Sequence, residues 1–237
     1  MSLIPEIYKN FYGDETRWFI GDIVSTSDPV ELGRVQVRIY GVHTSSERLI
    51  PNEDLPWAQP LMPITEGGVN GLGINTGIQV GARVFGIFLD GKNSQNPMIL
   101  GSLPKYEENA QGGRTTNPLA RGTNTISKPT DSVINSPASK YATQYPNNAV
   151  HQTSSGHVIE IDDTPDAERI HIYHKSGTCI EIHPNGDVVT QTKNGFKTVT
   201  GNEKLHVTGN LEIYADGNIK LQATGNVDID GARIDLN

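Results

Sequence analysis

The side chains in this sequence with types suited to chemistry are a group of acids and a set of histidines. Glu160, Asp162 and Asp163 stand within one four-residue stretch. Two carboxylates roughly 5 to 9.5 Å apart across a sugar bond are what glycoside hydrolysis requires. On a strand, adjacent side chains point to opposite faces, so Asp162 and Asp163 do not converge, and the three acids read as a solvated turn. His171 and His174 are three apart, an odd offset that also separates them on a strand and denies them a shared metal ion. A three-fold axis would gather three copies of one inward histidine, but His206 has outward parity and the C-terminal tip contains no histidine. Cys179 is the single cysteine, which excludes an intrachain disulfide framework and reads as an inert structural thiol. The sequence thus assigns no catalytic residue, no metal ligand and no cofactor.

The strongest pattern lies in the last stretch, where the text repeats every eight residues: Leu205-His206-Val207-Thr208-Gly209-Asn210, Ile213-Tyr214-Ala215-Asp216-Gly217-Asn218, Leu221-Gln222-Ala223-Thr224-Gly225-Asn226. The odd positions Leu205, Val207, Leu211, Ile213, Ala215, Ile219, Leu221, Ala223, Val227 and Ile229 are apolar, and this period of two marks β structure with one buried face. Strands in globular proteins run about 3 to 10 residues, so the run must turn a corner in each octad. Gly201, Gly209, Gly217 and Gly225 mark those corners, where the absence of a Cβ permits close backbone approach. One chain would complete little more than one triangular coil, and solenoids need roughly three or more repeats to bury a core. The inference is a homotrimer in which each chain supplies one face of a triangular β-prism and the ten apolar residues face its axis. Ala232 breaks the alternation, so a bulge is expected at Gly231.

Composition agrees with a thin β object: 237 residues, 35% hydrophobic and 6% aromatic, with 25 glycines and 14 prolines. The formal charge of −8 argues against nucleic acid, whose binding depends on Lys and Arg neutralising phosphates. No stretch resembles a signal peptide or an apolar span of about 20 residues. The protein is expected to be made in the cytoplasm and to leave it only as part of a larger assembly.

Taken in order, residues 1–16 carry no periodicity and read as an N-terminal arm. Residues 17–104 contain strand signals at Trp18 to Val24, Leu32 to Tyr40, Gly81 to Asp90 and Pro97 to Gly101. A proline-punctuated passage from Pro51 to Pro63 intervenes. Short strands in this space suggest a five-stranded barrel of OB-fold size, with Val35, Val37 and Ile39 inward and Arg34, Gln36 and Arg38 outward. Residues 105–144 are rich in Asn, Ser, Thr, Pro and Gly and read as an extended linker. Residues 145–237 open with strands around Gly156 to Ile161, Arg169 to His174 and Thr178 to Ile182, and pass into the octads from about residue 197. The fold class is all-β: an N-terminal OB-fold barrel, a linker and a C-terminal intertwined trimeric β-helix.

The chain resembles the central spike of contractile phage tails and its relatives in type VI secretion. The resemblance rests on Trp18-Phe19-Ile20-Gly21, Leu32-Gly33-Arg34-Val35-Gln36-Val37-Arg38 and Leu55-Pro56-Trp57. It rests further on Ser155-Gly156-His157, Glu160, Asp162 to Pro165, Glu168-Arg169, His174, Ser176-Gly177-Thr178, Glu181, the Gly-Asn octads and the ending Ile229 to Asp235. It implies a non-enzymatic, cell-puncturing spike of the virion tail baseplate, assembled in the host cytoplasm. Its collar would dock on a baseplate hub protein, a PAAR-type tip protein would cap its C-terminal end, and the needle would meet the host outer envelope transiently. Some members carry a lysozyme domain between collar and needle, where this sequence has only the linker. Two alternatives remain at this stage: a polysaccharide-degrading β-helical tailspike, and the spike of a type VI-like secretion system.

Overall fold

A computed structural model describes residues 16–69, 72–73, 77–107, 114–115, 134–139 and 141–235. All but the last residue of the arm expected at residues 1–16, and most of the linker expected at 105–144, lie outside the described residues. Among the described residues every regular element is a strand or a short 3-10 turn, and no helix is long and apolar enough to cross a membrane.

The first unit is a closed barrel of β1 (Arg17–Ser25), β2 (Val35–Ile39), β3 (Trp57–Pro60), β4 (Arg83–Phe88) and β5 (Pro97–Leu103), in spatial order β1-β2-β3-β5-β4. All its neighbours are antiparallel except the β3–β5 pair, which is parallel. Period-two alternation sends Phe19, Ile23, Val35, Val37, Ile39, Ala58, Val84, Phe88 and Ile99 into one core, as a strand with one buried face requires. β3 is the strand that the sequence pattern hides. It sits in the proline-rich passage and ends on Pro60, and it pairs with each neighbour through only two residue pairs. Proline donates no ladder hydrogen bond, so such a strand is short.

Two glycines let the barrel close. A Cβ on Gly21 would lie 2.6 Å from the carbonyl oxygen of Arg38 and from Val37 Cγ1. A Cβ on Gly86, which stands at the register shift between β4 and β5, would collide with the Phe19 ring and the Met98 carbonyl. The loop into β2 is organised by Asp28. Its carboxylate accepts the N–H groups of Val30, Leu32 and Arg34 at 3.1, 2.8 and 3.1 Å and pairs with the Arg34 guanidinium at 2.7 Å. The Arg34 hydrogen bond first, then the backbone donors, hold this carboxyl well below the usual carboxylate range.

β6 (Tyr106–Glu107) and β7 (Arg114–Thr115) form a small two-stranded pair. The second unit is a five-stranded antiparallel sheet of β8 (Asn148–Gln152), β9 (Val158–Asp162), β10 (Arg169–Tyr173), β11 (Cys179–Ile182) and β12 (Val188–Gln191), ordered β12-β11-β10-β9-β8. It is a simple meander. Its tight turns use glycines at positive φ, Gly177 at 95° and Gly186 at 86°, a conformation other residues adopt only with strain.

Gly86→Ala is expected to lower barrel stability by about 1 to 3 kcal/mol through overpacking against Phe19, measured by thermal or chemical denaturation. For Asp28, a depressed folded-state pKa contributes stability that is present above the unfolded value of about 3.9 and is lost as pH falls through the folded one. In melts across a pH series, Asp28→Asn should therefore melt below wild type at neutral pH, and the gap should narrow only below about pH 4.

Candidate functional site

The meander has two unlike faces, and together they form the most distinctive surface of the chain. On one face, register aligns Val150, Glu160, His171, Glu181 and Val189 in a single cross-strand row. Asp162 and Arg169 pair in the next row. Glu160, His171 and Glu181 are 0% exposed, Asp162 is 1% and Arg169 is 2%. The Arg169 guanidinium donates to Glu160 Oε2 at 2.6 Å and lies 3.5 Å from Glu181 Oε2. Asn148 donates to Glu160 Oε1 at 2.8 Å, and His183 Nε2 lies 2.9 Å from Glu181 Oε1. His171 Nδ1 lies 3.8 and 3.9 Å from the same two carboxylates, and among the described residues neither of its ring nitrogens has a hydrogen-bond partner.

Solvent is kept from these charges by the chain's own approach to the sheet, residues 141–144 together with Ser139. Ser139 donates to Glu181 at 2.9 Å and accepts from Arg169 at 3.0 Å. Tyr141 lies under the Arg169 guanidinium at 4.6 Å from its ring centroid. Thr143 donates to Asp162 at 2.6 Å, and the Gln144 N–H donates to Thr164 at 2.9 Å. Contacts at 139, 141 and 143 have the spacing of an extended strap that shows alternate residues to the sheet.

This corrects the reading of the acids. Asp163 is exposed, as a solvated turn requires, but Glu160 and Asp162 are fully buried and hydrogen-bonded. Their parity is as expected from strand geometry. What sequence reasoning missed is that the polar face is the covered one, together with the partners Arg169, His171, Glu181, His183 and the strap. The available signal was that Glu160 and Asp162, Arg169 and His171, and Glu181 and His183 each share a parity on successive strands. Among the described residues no group of three or more His, Cys, Asp or Glu is arranged to hold a metal ion, and the guanidinium amid the carboxylates already supplies their countercharge. His171 is buried and His174 is exposed, so the two do not meet. Cys179 is buried on the polar face beside Tyr173 and Gln191.

The opposite face is a grid of isoleucines. Ile161, Ile170 and Ile182 align in one row, and Ile159, Ile172 and Ile180 in the other. All six are between 36% and 53% exposed. Apolar surface of this extent on one face marks a place that something covers.

Beyond β12, every residue from Thr192 to Asp235 is exposed and none belongs to a strand. All ten apolar residues assigned to the prism axis, Leu205, Val207, Leu211, Ile213, Ala215, Ile219, Leu221, Ala223, Val227 and Ile229, lie in this run. The chain bends at 193–194, 200–201, 208–209, 216–217, 224–225 and 232, so Gly201, Gly209, Gly217 and Gly225 each sit on a bend. None of these four has positive φ, and a Cβ on any of them would meet nothing within 4 Å. Neither local backbone nor a neighbour in the same chain demands glycine there. The bend at 232 keeps the interval of eight and falls one residue after Gly231.

The outer wall of the barrel is consumed by its own loops. Arg38 donates to the carbonyls of Thr44 and Ile50 and to Asn52, and Gln36 donates to the carbonyls of Glu53 and Leu55. With Arg34 on Asp28 and over the Trp57 ring, the polar side chains of β2 are committed within the chain.

With this geometry established, comparison with known proteins is informative. The family model described as Gp5 N-terminal OB domain matches residues 41–171, which run from the turn after β2 into β10. The five-stranded barrel is accordingly an OB fold. Protein Gp5 of Vibrio phage KVP40 is 30% identical over 260 aligned residues, covering 81% of this chain and 62% of that protein. The pre-baseplate central spike protein Gp5 of Enterobacteria phage T4 is 41% identical over 91 residues, covering 36% of this chain and 16% of that protein. The chain thus spans less than two thirds of the length of these relatives.

Because removing one member of a buried ion pair leaves an uncompensated charge, Arg169→Ala should cost about 3 to 5 kcal/mol in denaturation experiments. It should also render residues 139–144 cleavable in limited proteolysis. Converting Arg169, Glu160 and Glu181 together to apolar residues of similar volume should recover most of that loss.

Proposed function

The chain belongs to the Gp5 family defined by its N-terminal OB domain, and we propose that it is a structural central spike of a contractile tail baseplate, acting as a homotrimer. The observation that carries this reading is the run from Thr192 to Asp235, fully exposed and without strand partners in one chain. Backbone N–H and C=O groups in an apolar, alternating stretch require partners, and a single chain supplies none among the described residues. Three parallel copies satisfy the requirement at once. Each contributes one face of a triangular prism, the odd residues from Leu205 to Ile229 pack on the axis, and the backbones approach at Gly201, Gly209, Gly217 and Gly225. That close approach is the reason for glycine that one chain alone does not provide.

The spike acts mechanically. Sheath contraction drives the prism through the host outer envelope, and the protein supplies stiffness rather than chemistry. A closed prism leaves few strand edges for wrong pairing, and intertwined chains unfold slowly, so its rigidity is kinetic as well as thermodynamic. In this reading the OB barrel is the collar that seats on a trimeric hub protein. In the same reading a PAAR-type tip protein meets the prism beyond the octads, where apolar Ile234 is 49% exposed. No catalytic residue is invoked: Glu160 and Glu181 are buried and paired to Arg169, and Asp162 is buried and hydrogen-bonded to Thr143. The protein works in the virion.

Light scattering should give a solution mass three times the 25.8 kDa of the chain, and a monomer would overturn the reading. Leu211→Asp, which places three carboxylates at one level of the axis, should leave a needle with markedly reduced heat resistance. Incubation with peptidoglycan or envelope polysaccharide should release no product, and turnover abolished by Glu160→Gln would favour an enzyme instead.

A further inference from the structure

We propose that the isoleucine face of β9, β10 and β11 is the surface through which three copies first join, and that it sets the register in which the octads then wind. This rests on the trimeric reading above and adds to it a division of labour within the C-terminal half.

The octads are poorly equipped to set register themselves. Sliding one chain by eight residues superimposes Leu205 on Ile213, Ile213 on Leu221 and Leu221 on Ile229. The same shift carries Gly209 to Gly217 to Gly225, and Asn210 to Asn218 to Asn226. Parity, corners and polar edges are all preserved, so wrong registers that differ by one octad lose only the terminal contacts. Register is strongly specified only where a shift moves apolar groups off the buried face or breaks a unique feature.

The meander has such a feature. Its isoleucine grid is two rows deep and three strands wide, bounded by Ala149 and Val188 along one row and by His151 and Thr190 along the other. It does not repeat along the chain, so it has one alignment against its own copies. The grid also contains no charged side chain. That matters for self-association of a chain carrying a formal charge of −8, because like charges brought together oppose assembly.

Among the described residues nothing covers this face. The reverse side of the same strands is filled by Glu160, Arg169, His171 and Glu181 under the strap of Ser139, Tyr141 and Thr143. The sheet is also the part of the C-terminal half that has its own backbone ladder. It folds before association, whereas the octads, lacking ladder partners in one chain, order only after it. The occupant of the grid is therefore the same grid on two further copies, met around the axis that the octads continue.

The test compares full-length chains by size-exclusion light scattering over a dilution series. Wild type should be trimeric, and a monomeric wild type would defeat the underlying trimer reading itself. Ile172→Asp with Ile180→Asp should be monomeric, with the amides of β10 and β11 still protected from hydrogen exchange. Leu211→Asp with Ile219→Asp should remain trimeric, with octad amides exchanging freely. A trimeric grid variant, as would arise if another protein covered this face, overturns the proposal, and so does a monomeric octad variant. Should the aspartate pair on the grid prevent folding, Ile172→Thr with Ile180→Thr keeps β-branched side chains. That pair should raise the concentration at which the trimer dissociates at least tenfold, and an unchanged value overturns the proposal.

Discussion

The constraint on which the structure depends is that a β chain must find partners for its backbone. Buried N–H and C=O groups left unpaired cost as much as a lost hydrogen bond, and strands, unlike helices, never satisfy them locally. The chain meets this demand in three degrees. In the barrel five strands close on themselves and no edge remains. In the meander four ladders are formed but, among the described residues, both outer strands and one apolar face stay open. In the octads no ladder is formed within the chain among the described residues. Self-sufficiency therefore falls from the first unit to the last, and the need for other copies rises with it.

The meander is where these regimes meet, and its faces are reversed from the usual arrangement. Charged groups lie within, covered by a strap of the same chain, and isoleucines lie without. A buried Arg–Glu pair is weak evidence of stability, since desolvation offsets much of the attraction. Its value is selectivity: only a segment that offers Ser139, Tyr141 and Thr143 at alternate positions completes the network without stranding a charge. The apolar face is undemanding by contrast and accepts any well-shaped apolar surface. The demanding contact is thus made within the chain, while the isoleucine face is left uncovered among the described residues.

A mechanical role suits this arrangement. The barrel core is ordinary apolar packing, and the polar side chains of β2, which on a nucleic-acid-binding barrel would face a ligand, are tied to loop carbonyls by Gln36 and Arg38. Glu160 and Asp162, which would attract attention as catalytic groups, are buried and held by a guanidinium and by a strap hydroxyl.

Much of this was legible in the amino-acid sequence. Alternation located β1, β2, β4 and the strands of the meander to within a few residues. It placed Val35, Val37 and Ile39 inward. Those features are local, and the two-residue period of a strand and the turn preference of glycine act on neighbours in the chain. β3 was hidden because Pro56 just before it and Pro60 at its end suppress the strand signal, and its pairing is with segments distant in sequence. The choice of covered face in the meander was also beyond the sequence. Alternation says which residues share a face, but burial is decided by what lies on top. That was a strap hydrogen-bonding to Arg169, Asp162 and Glu181 across 19 to 42 residues of chain. Parity is a property of the strand, whereas inside and outside belong to the assembled tertiary structure.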